Sequence, residues 1–163
     1  MLVRSFTDVQ SFRLAATLPA SSTDSKEEMK TNFVLIDYEN VQPDAIGLLN
    51  QDHFRIIVFV GANQSKVTFE IASALQYMGG RVEYIKITGS GKNALDFHIA
   101  FYIGQIAAKE PDAYYHIISK DSGFDPLIQH LKSKKILASR TSDIAEIPIV
   151  KAANTKSPIE KLN

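Results

Sequence analysis

The sequence predicts an α/β fold with three layers, in which helices cover both faces of a central, mainly parallel sheet of about five strands. Short apolar segments alternate with longer segments of helical spacing. Phe33–Ile36 and Arg55–Val60 are almost wholly apolar, which is typical of strands that are buried on both faces. Strands that are separated by helices form parallel βαβ units with right-handed crossovers. The pattern therefore predicts a parallel sheet between two helical layers.

The predicted elements follow one another closely and end at turn residues. Strands are expected at residues 33–36, 55–60, 81–87, 114–119 and 135–138, and helices at residues 41–50, 65–78, 93–109 and 124–132. The third strand alternates apolar and polar residues, so we expect it near an edge of the sheet. Gly79 and Gly80 follow the second helix and Pro111 follows the third, at positions where helices commonly stop. The order of elements is that of a Rossmann-like domain.

Both ends of the chain differ in composition from the part between them. Residues 1–30 have interrupted apolar runs and a linker-like stretch at residues 20–25, so we expect a flexible N-terminal extension. Residues 31–150 are expected to form the domain, and residues 151–163 a polar tail without regular structure. The apolar runs are far shorter than a membrane span, so we expect no membrane contact.

Charge and cysteine content exclude several classes of protein. The 163 residues include 18 basic and 18 acidic side chains, so no net positive charge attracts nucleic acid, and any such contact needs a local basic patch. Cysteine is absent, which excludes disulfides, zinc–thiolate sites and thiol nucleophiles. Because such a chain suits a reducing compartment, we expect a cytoplasmic location.

Acidic residues follow two predicted strands and open the longest predicted helix. Asp37 ends the first strand, Asp121 follows the fourth strand, and Asp96 lies in the first turn of the helix at residues 93–109. Ligands of open parallel sheets bind at the carboxyl ends of the strands, so these carboxylates meet if the first and fourth strands are neighbours. Clustered carboxylates raise each other's pKa, and a hard divalent cation such as Mg²⁺ or Mn²⁺ relieves the repulsion. Such a site suits phosphodiester hydrolysis by an activated water.

Three segments resemble motifs of the NYN branch of the PIN-like ribonucleases. The sequence DYEN at residues 37–40 resembles the D-x-x-N motif that opens this family. The sequence KNALDF at residues 92–97 resembles the segment that places an aspartate on a helix, and SKDSGF at residues 119–124 resembles S-x-D-x-D-F. The motifs occur in the order of the family, and the resemblance spans about residues 32–138.

This resemblance implies a metal-dependent endoribonuclease that cuts single-stranded or structured RNA with Mg²⁺ or Mn²⁺. Asp37, Asp96 and Asp121 would form its acidic core, and Asn40 would orient a metal-bound water or a phosphate. Each residue also has a purely structural interpretation, as a turn residue, a helix cap or an acid that interacts with a helix dipole. The resemblance also raises a homodimer, for which the sequence identifies no contact face.

The sequence departs from the family pattern at one acidic position. Gly123 stands where the motif has its second aspartate, and Asp125 follows two residues later. Asp125 would be a fourth metal ligand or only a helix-cap residue. Glu70 is a candidate acid by position alone, and Glu39 is expected to face solvent. The departure leaves open an alternative function, a non-catalytic RNA-binding or assembly module with a degraded site.

Four further residues are candidates for contact with the substrate. Lys92 ends a glycine-rich loop, and Lys132 belongs to a basic run that continues through residues 134–135 and Arg140. Ser119 would orient the acidic site, and Tyr38 would stack on a base. The glycine-rich loop lacks the spacing of a phosphate-binding P-loop, and no G-x-G-x-x-G motif is present, which argues against a nucleotide-binding domain.

Overall fold

The computed structural model describes the backbone of residues 29–160 and the side chains of residues 29–155. The expected N-terminal extension therefore lies almost wholly outside the described residues. Within this part of the chain, five strands form one parallel sheet: β1 (Asn32–Asp37), β2 (Phe54–Val60), β3 (Val82–Lys86), β4 (Tyr114–Ile118) and β5 (Leu137–Thr141). The described residues also form four α-helices: α1 (Phe69–Gln76), α2 (Ala94–Lys109), α3 (Asp125–Ser133) and α4 (Pro148–Glu160). The predicted α/β class and parallel sheet are confirmed.

The sheet has the strand order β3-β2-β1-β4-β5, so β1 lies at its centre. The chain builds β1, β2 and β3 outward in one direction, returns across β1, and builds β4 and β5 in the other direction. The strand order therefore reverses between β1 and β4, which is the position where open parallel sheets bind their ligands. All six residues of β1 are buried, which explains the apolar run in the sequence. β3 forms one edge, as its alternating pattern predicts.

Helices cover both faces of the sheet and form two apolar cores. One core lies on the face that contacts α1 and α4, where Ile71 and Val150 meet the β1 residue Val34. The other core lies on the face that contacts α2 and α3, where Ile103 and Ile128 join the same cluster as β-strand side chains. Alternate residues of the central strands enter the two cores because side chains of a strand point to opposite faces in turn. The molecule therefore has the three layers that the sequence predicts.

Two predicted helices are shorter in the structure. Of the helix expected at residues 41–50, only one 3₁₀ turn forms, at Ile46–Leu49. The preceding residues turn back onto β1 instead, because the backbone N–H groups of Asn40 and Val41 donate to the carbonyl of Asp37. Helix α1 begins at Phe69 rather than at residue 65, since Thr68 adopts an extended conformation and caps the helix with its side chain.

The end of the described chain was predicted incorrectly. Residues 151–160 continue α4, which begins at Pro148, whereas the sequence analysis expects no regular structure there. The start of α4 is anchored by Val150, which is buried in the core, and by Ile147 just before the helix. The following residues are polar and extend the helix without an apolar period, so hydrophobic periodicity alone does not detect them. The described residues contain no helix that is long and apolar enough to cross a membrane.

Candidate active site

A small acidic cavity of about 170 Å³ lies at the carboxyl edge of the sheet. Three separate segments line it: the turn after β1, the start of α2, and the loop between β4 and α3. The lining residues are Asp37, Glu39, Asn40, Asn93, Ala94, Leu95, Asp96 and Asp121. The three aspartates that the sequence analysis singles out therefore face one cavity. Their proximity follows from the adjacency of β1 and β4 and from the packing of α2 on the sheet.

Asp37 is the last residue of β1, and its side chain is hydrogen-bonded by a residue that follows β4. Asp37 is 4% exposed, and Ser119, which follows β4, is fully buried beside it. Ile36 of β1 pairs with Ile118 of β4, and this register places Ser119 next to Asp37. The hydroxyl of Ser119 donates to Oδ2 of Asp37 over 2.8 Å. Ser119 therefore satisfies the hydrogen-bonding need of a buried carboxylate, and its orienting role stays a prediction.

Asn40 links the two loops that flank the cavity. Its backbone N–H donates to Oδ1 of Asp37 over 3.3 Å, and its side-chain oxygen accepts a hydrogen bond of 2.9 Å from the backbone N–H of Lys120. The amide oxygen of Asn40 is thus hydrogen-bonded within the protein, and this bond fixes the orientation of the amide NH₂ group. Lys120 itself is exposed and lies between Ser119 and Asp121.

Asp121 both caps a turn and lines the cavity. Its backbone N–H donates to the hydroxyl of Ser119 over 3.1 Å, and its Oδ1 accepts from the backbone N–H of Gly123 over 2.8 Å. This second bond caps the 3₁₀ turn at Ser122–Phe124. Within the described part of the chain, no hydrogen bond reaches the other carboxylate oxygen. One oxygen of Asp121 is therefore structural, and the other is free for a ligand.

The start of α2 contributes Asp96 and Asn93. Asp96 lies in the first turn of the helix and is partly buried. Asn93 precedes the helix in the left-handed conformation, with φ of 65°, which non-glycine residues seldom adopt. This backbone turn directs the first turn of α2 toward the cavity, while Leu95 enters the core below it. Nothing in the sequence pattern singles out Asn93, which the sequence analysis missed.

Burial and the mutual repulsion of the carboxylates make ionisation of the aspartates in the cavity unfavourable. Burial raises the pKa of Asp37, although the hydrogen bonds from Ser119 and Asn40 partly counteract this. The pKa of Asp96 rises from 3.8 to about 6, first because of burial and then because of the negative charges of Asp37, Asp121 and Glu39. The carboxylates therefore interact electrostatically across the cavity. A cation in the cavity would relieve this repulsion.

The donor set fits a hydrated divalent ion better than a dehydrated one. Among the described residues, no three histidine, aspartate or glutamate side chains are close enough together to coordinate one ion directly. Mg²⁺ commonly retains several waters and binds through only one or two carboxylates. Several carboxylates around one small polar cavity suit such an ion, because the remaining acids can contact its waters. The cavity therefore carries oxygen donors of the kind that divalent cations prefer, and a negative charge that a cation would offset.

Asp125 forms an ion pair outside the cavity. Its Oδ1 accepts from Nε of Arg140 over 2.7 Å, and its Oδ2 accepts from Nη2 over 3.2 Å. The same guanidinium donates to the carbonyl of Ser119 over 3.1 Å. The hydrogen bond from Arg140 lowers the pKa of Asp125. The expected role of Asp125 as a metal ligand thus competes with a basic partner on β5, and Arg140 is not free to join the basic run of Lys132.

Glu39 is exposed, as the sequence predicts, and it also lines the cavity. Its carboxylate lies over Gly61, just after β2, where a methyl group would collide with it. The absence of a side chain at Gly61 thus provides the space for Glu39. Only the tertiary structure brings these two residues together. Glu70, the other candidate acid, lies in the first turn of α1 and is not among the residues that line this cavity.

The candidate substrate contacts have different positions in the structure. The stacking role of Tyr38 is wrong, because its ring is only 1% exposed and its hydroxyl accepts from the backbone N–H of Thr68. Lys92 is exposed and immediately precedes Asn93 of the cavity wall. Lys132 is exposed on α3. Both lysines are accessible, and Lys92 is the one adjacent in sequence to the cavity.

The fold agrees with the comparison to known families. Residues 31–141 match the family model of the PIN domain, a segment that extends from before β1 to the end of β5. The comparisons with curated proteins and with solved structures found no match. The predicted PIN-like family is therefore confirmed, while its NYN branch stays a prediction. The chain belongs to the PIN domain family.

Proposed function

We propose that this chain is a metal-dependent endoribonuclease that hydrolyses phosphodiester bonds at the acidic cavity. PIN domains are generally nucleases and typically use divalent metals. The observation that carries the proposal is the presence of Asp37, Asp96 and Asp121, from three separate segments, around one cavity at the switch point of the sheet. The elevated pKa of Asp96 supports it, because burial first and the neighbouring carboxylates second make a negative charge unfavourable there without a cation.

In this proposal one or two of the three aspartates would bind a hydrated Mg²⁺ or Mn²⁺ ion directly, and the others would contact its waters. When bound, the ion would lower the pKa of a water and reduce the negative charge on the scissile phosphate. Ser119 supports the ionised form of Asp37 by donating to it. A bound cation would favour the ionised form of Asp96, because its positive charge would offset the burial and the neighbouring negative charges that raise the pKa of Asp96. Glu39 adds negative charge to the same cavity.

Polar and basic residues at the rim would position RNA. Asn40 would direct its amide NH₂ group toward a phosphate oxygen, since its amide oxygen is fixed by the backbone of Lys120. Lys92 would contact phosphates next to the cavity, and Lys132 phosphates farther along α3. Because the net charge of the chain is zero, such local cations are required to offset the acidic site.

The test is cleavage of a mixed-sequence single-stranded RNA by the full chain with Mn²⁺ or Mg²⁺, with EDTA as a control. We expect metal-dependent cutting by the wild type and at least about a hundredfold loss in Asp121→Asn, as for removal of one strong electrostatic contact in a catalytic site. Asp112→Asn is the matched control, because Asp112 is exposed in the loop before β4 and does not line the cavity. Binding of Mn²⁺ is measured in parallel by calorimetry.

Two outcomes would contradict the proposal. The first is a folded wild type that cuts no RNA with either metal. The second is cutting that Asp37→Asn and Asp121→Asn both leave unchanged, which would place the activity elsewhere. Loss of cutting in Asp112→Asn as well as in Asp121→Asn would indicate a general loss of structure.

A second candidate function is a non-catalytic RNA-binding module. The ion pair between Asp125 and Arg140 favours it, because this pair and Gly123 together leave the cavity without a carboxylate from the start of α3. Binding of RNA that is insensitive to EDTA, without cutting, would support this alternative over the nuclease.

A further inference from the structure

The outer face of α2 is apolar although it is exposed to solvent. The buried side of this helix consists of Leu95, Ile99, Ile103 and Ala107. On the other side, Phe97 is 70% exposed and Phe101 is 60% exposed, and Gly104 and Ala108 are exposed as well. The solvent side of a helix normally carries charged residues, but residues 97–108 include none. Gln105 is the one polar residue among the exposed residues at positions 97–108, and a helix that is apolar on nearly all sides is usually covered by a partner.

The four exposed residues form a narrow stripe, which we call the α2 stripe. At 100° per residue, Phe97, Phe101, Gly104 and Ala108 fall within about 60° of one another around the helix axis. Their spacing of four, three and four residues is the spacing of a helix–helix contact seam. The stripe is about 16 Å long, which is three turns of helix. A single straight helix of another molecule would cover it.

The order of side chains along the stripe makes it complementary to itself. Two bulky residues, Phe97 and Phe101, are followed by two small residues, Gly104 and Ala108. If a second α2 lies antiparallel across the midpoint of the stripe, Phe97 faces Ala108 of the other copy, and Phe101 faces Gly104. No atom lies within 4 Å of the position where a side chain would begin at Gly104, so that position has space for a ring.

We propose that the α2 stripe is the contact face of a homodimer in which the two α2 helices pack antiparallel about a two-fold axis. A two-fold interface requires a surface that complements itself, and this order of residues provides it. Asp96 lies about 100° around the helix from Phe97, so the acidic cavity stays open in this arrangement. The proposal does not depend on the proposed nuclease activity.

The chemistry of the stripe favours a second copy over RNA. Phosphate groups are bound mainly by lysine and arginine, and the α2 stripe contains neither. A phenylalanine side chain has an area on the order of 200 Å². The four rings of two copies therefore present on the order of 500 Å², about half of the total area of a small specific interface. In the proposed dimer the stripe forms the centre of such an interface, and the residues beside it form the rim.

The proposed pairing of position 97 with position 108 of the other copy is tested by placing opposite charges at these two positions of the full chain. The mass in solution is measured by analytical ultracentrifugation at micromolar concentrations. We expect the wild type to have the mass of two chains. Phe97→Glu and Ala108→Arg should each weaken the dimer at least about tenfold, because each places an unpaired charge in an apolar contact. An equimolar mixture of the two variants should dimerise again, since Glu at position 97 then faces Arg at position 108. These positions are about 16 Å apart within one helix, so no rescue is possible inside one chain.

Phe69→Glu is the matched control. Phe69 is 81% exposed and, like Phe97, lies in the first turns of its helix, but on α1. We expect this variant to remain dimeric, and circular dichroism checks that every variant is folded. A wild type that has the mass of one chain throughout would overturn the proposal, as would a mixture that fails to recover the dimer. A monomeric wild type whose RNA binding is weakened by Phe97→Glu would instead assign the stripe to RNA.

Discussion

The hydroxyl of Ser119 donates a hydrogen bond of 2.8 Å to Oδ2 of Asp37, and this bond joins the ends of β1 and β4 at the switch point of the sheet. Both side chains are buried, with Asp37 4% exposed and Ser119 fully covered. The same hydroxyl accepts from the backbone N–H of Asp121 over 3.1 Å. One serine thus connects two of the acids around the cavity.

We expect Ser119→Ala to lower the free energy of unfolding at neutral pH by about 1–3 kcal/mol, because a buried carboxylate loses its donor. The bond favours the ionised form of Asp37, so its removal raises the pKa of Asp37 further. The stability loss should therefore shrink as the pH falls through that pKa, which urea unfolding at neutral and acidic pH would measure. Ser139→Ala is the control, because the Ser139 hydroxyl lies 3.3 Å from a histidine nitrogen instead of a carboxylate. A loss in Ser119→Ala that does not vary with pH would contradict the assigned bond.

The stability of the metal-free protein should depend on the ionisation of Asp96. Its pKa is about 6 in the folded protein against 3.8 in the unfolded chain, so the folded state binds more protons between these values. The free energy of unfolding should therefore fall as the pH rises from about 4 to about 6, and level off above. Asp96→Asn should remove this loss and raise the stability at neutral pH by on the order of 1 kcal/mol, allowing for solvent screening of a partly exposed group.

This pH dependence is measured by urea unfolding of wild type and Asp96→Asn in EDTA. The two proteins should converge in stability at acidic pH, where Asp96 is neutral in both states. If the difference persists unchanged at acidic pH, the effect does not come from the charge of Asp96. Added Mn²⁺ should stabilise the wild type more than the variant under the proposed function.

Because Asp125 and Arg140 form an ion pair, substitution of either residue should affect stability through the same contact. We expect Asp125→Asn and Arg140→Lys to lower stability by similar amounts and the double variant to lose little more, because both single changes break the same contact. The effect should shrink in high salt, since Asp125 is partly exposed. Thermal unfolding at low and high salt would measure both trends. Additive losses would show that the pair is not the relevant contact.

Binding of Mn²⁺ separates this role of Asp125 from a direct metal role. If Asp125 acts through Arg140, Asp125→Asn and Arg140→Lys should both keep Mn²⁺ affinity near that of the wild type. A tenfold or greater loss of affinity in Asp125→Asn alone would instead support direct contact with the ion.

Gly61→Ala should displace Glu39 from the cavity, because the new methyl group would occupy the position of the Glu39 carboxylate. The cost in stability should be small, since Glu39 is exposed and flexible and can move into solvent. If Glu39 contributes to cation binding, Gly61→Ala and Glu39→Gln should weaken Mn²⁺ binding by similar factors, as measured by calorimetry. Gly80→Ala is the control for the added methyl group, because that position is open and does not line the cavity. Weaker binding in Glu39→Gln but not in Gly61→Ala would mean that Glu39 does not move.

The layers and the parallel sheet were predictable because they depend on local patterns. The apolar runs of β1 and β2 indicate strands buried on both faces, whatever their neighbours are. The sequence also placed Asp37 and Asp121 at the same edge of the sheet, since both come at the carboxyl ends of parallel strands. Their proximity depended on β1 and β4 being neighbours, which the structure decided. The helix expected at residues 41–50 did not form, because turn contacts to the carbonyl of Asp37 replace it.

Side-chain contacts between distant segments were decided by the tertiary structure alone. Asp125 meets Arg140 because β5 pairs with β4, and Glu39 occupies the space above Gly61 because β2 lies beside β1. Tyr38 follows Asp37 directly, yet it is buried in the core instead of facing a substrate. The sequence by itself determined which segments form strands and where their acids lie, since hydrophobic periodicity is local. The partners of each side chain required the folded structure, because residues far apart in sequence come into contact only when the strands pair and the helices pack.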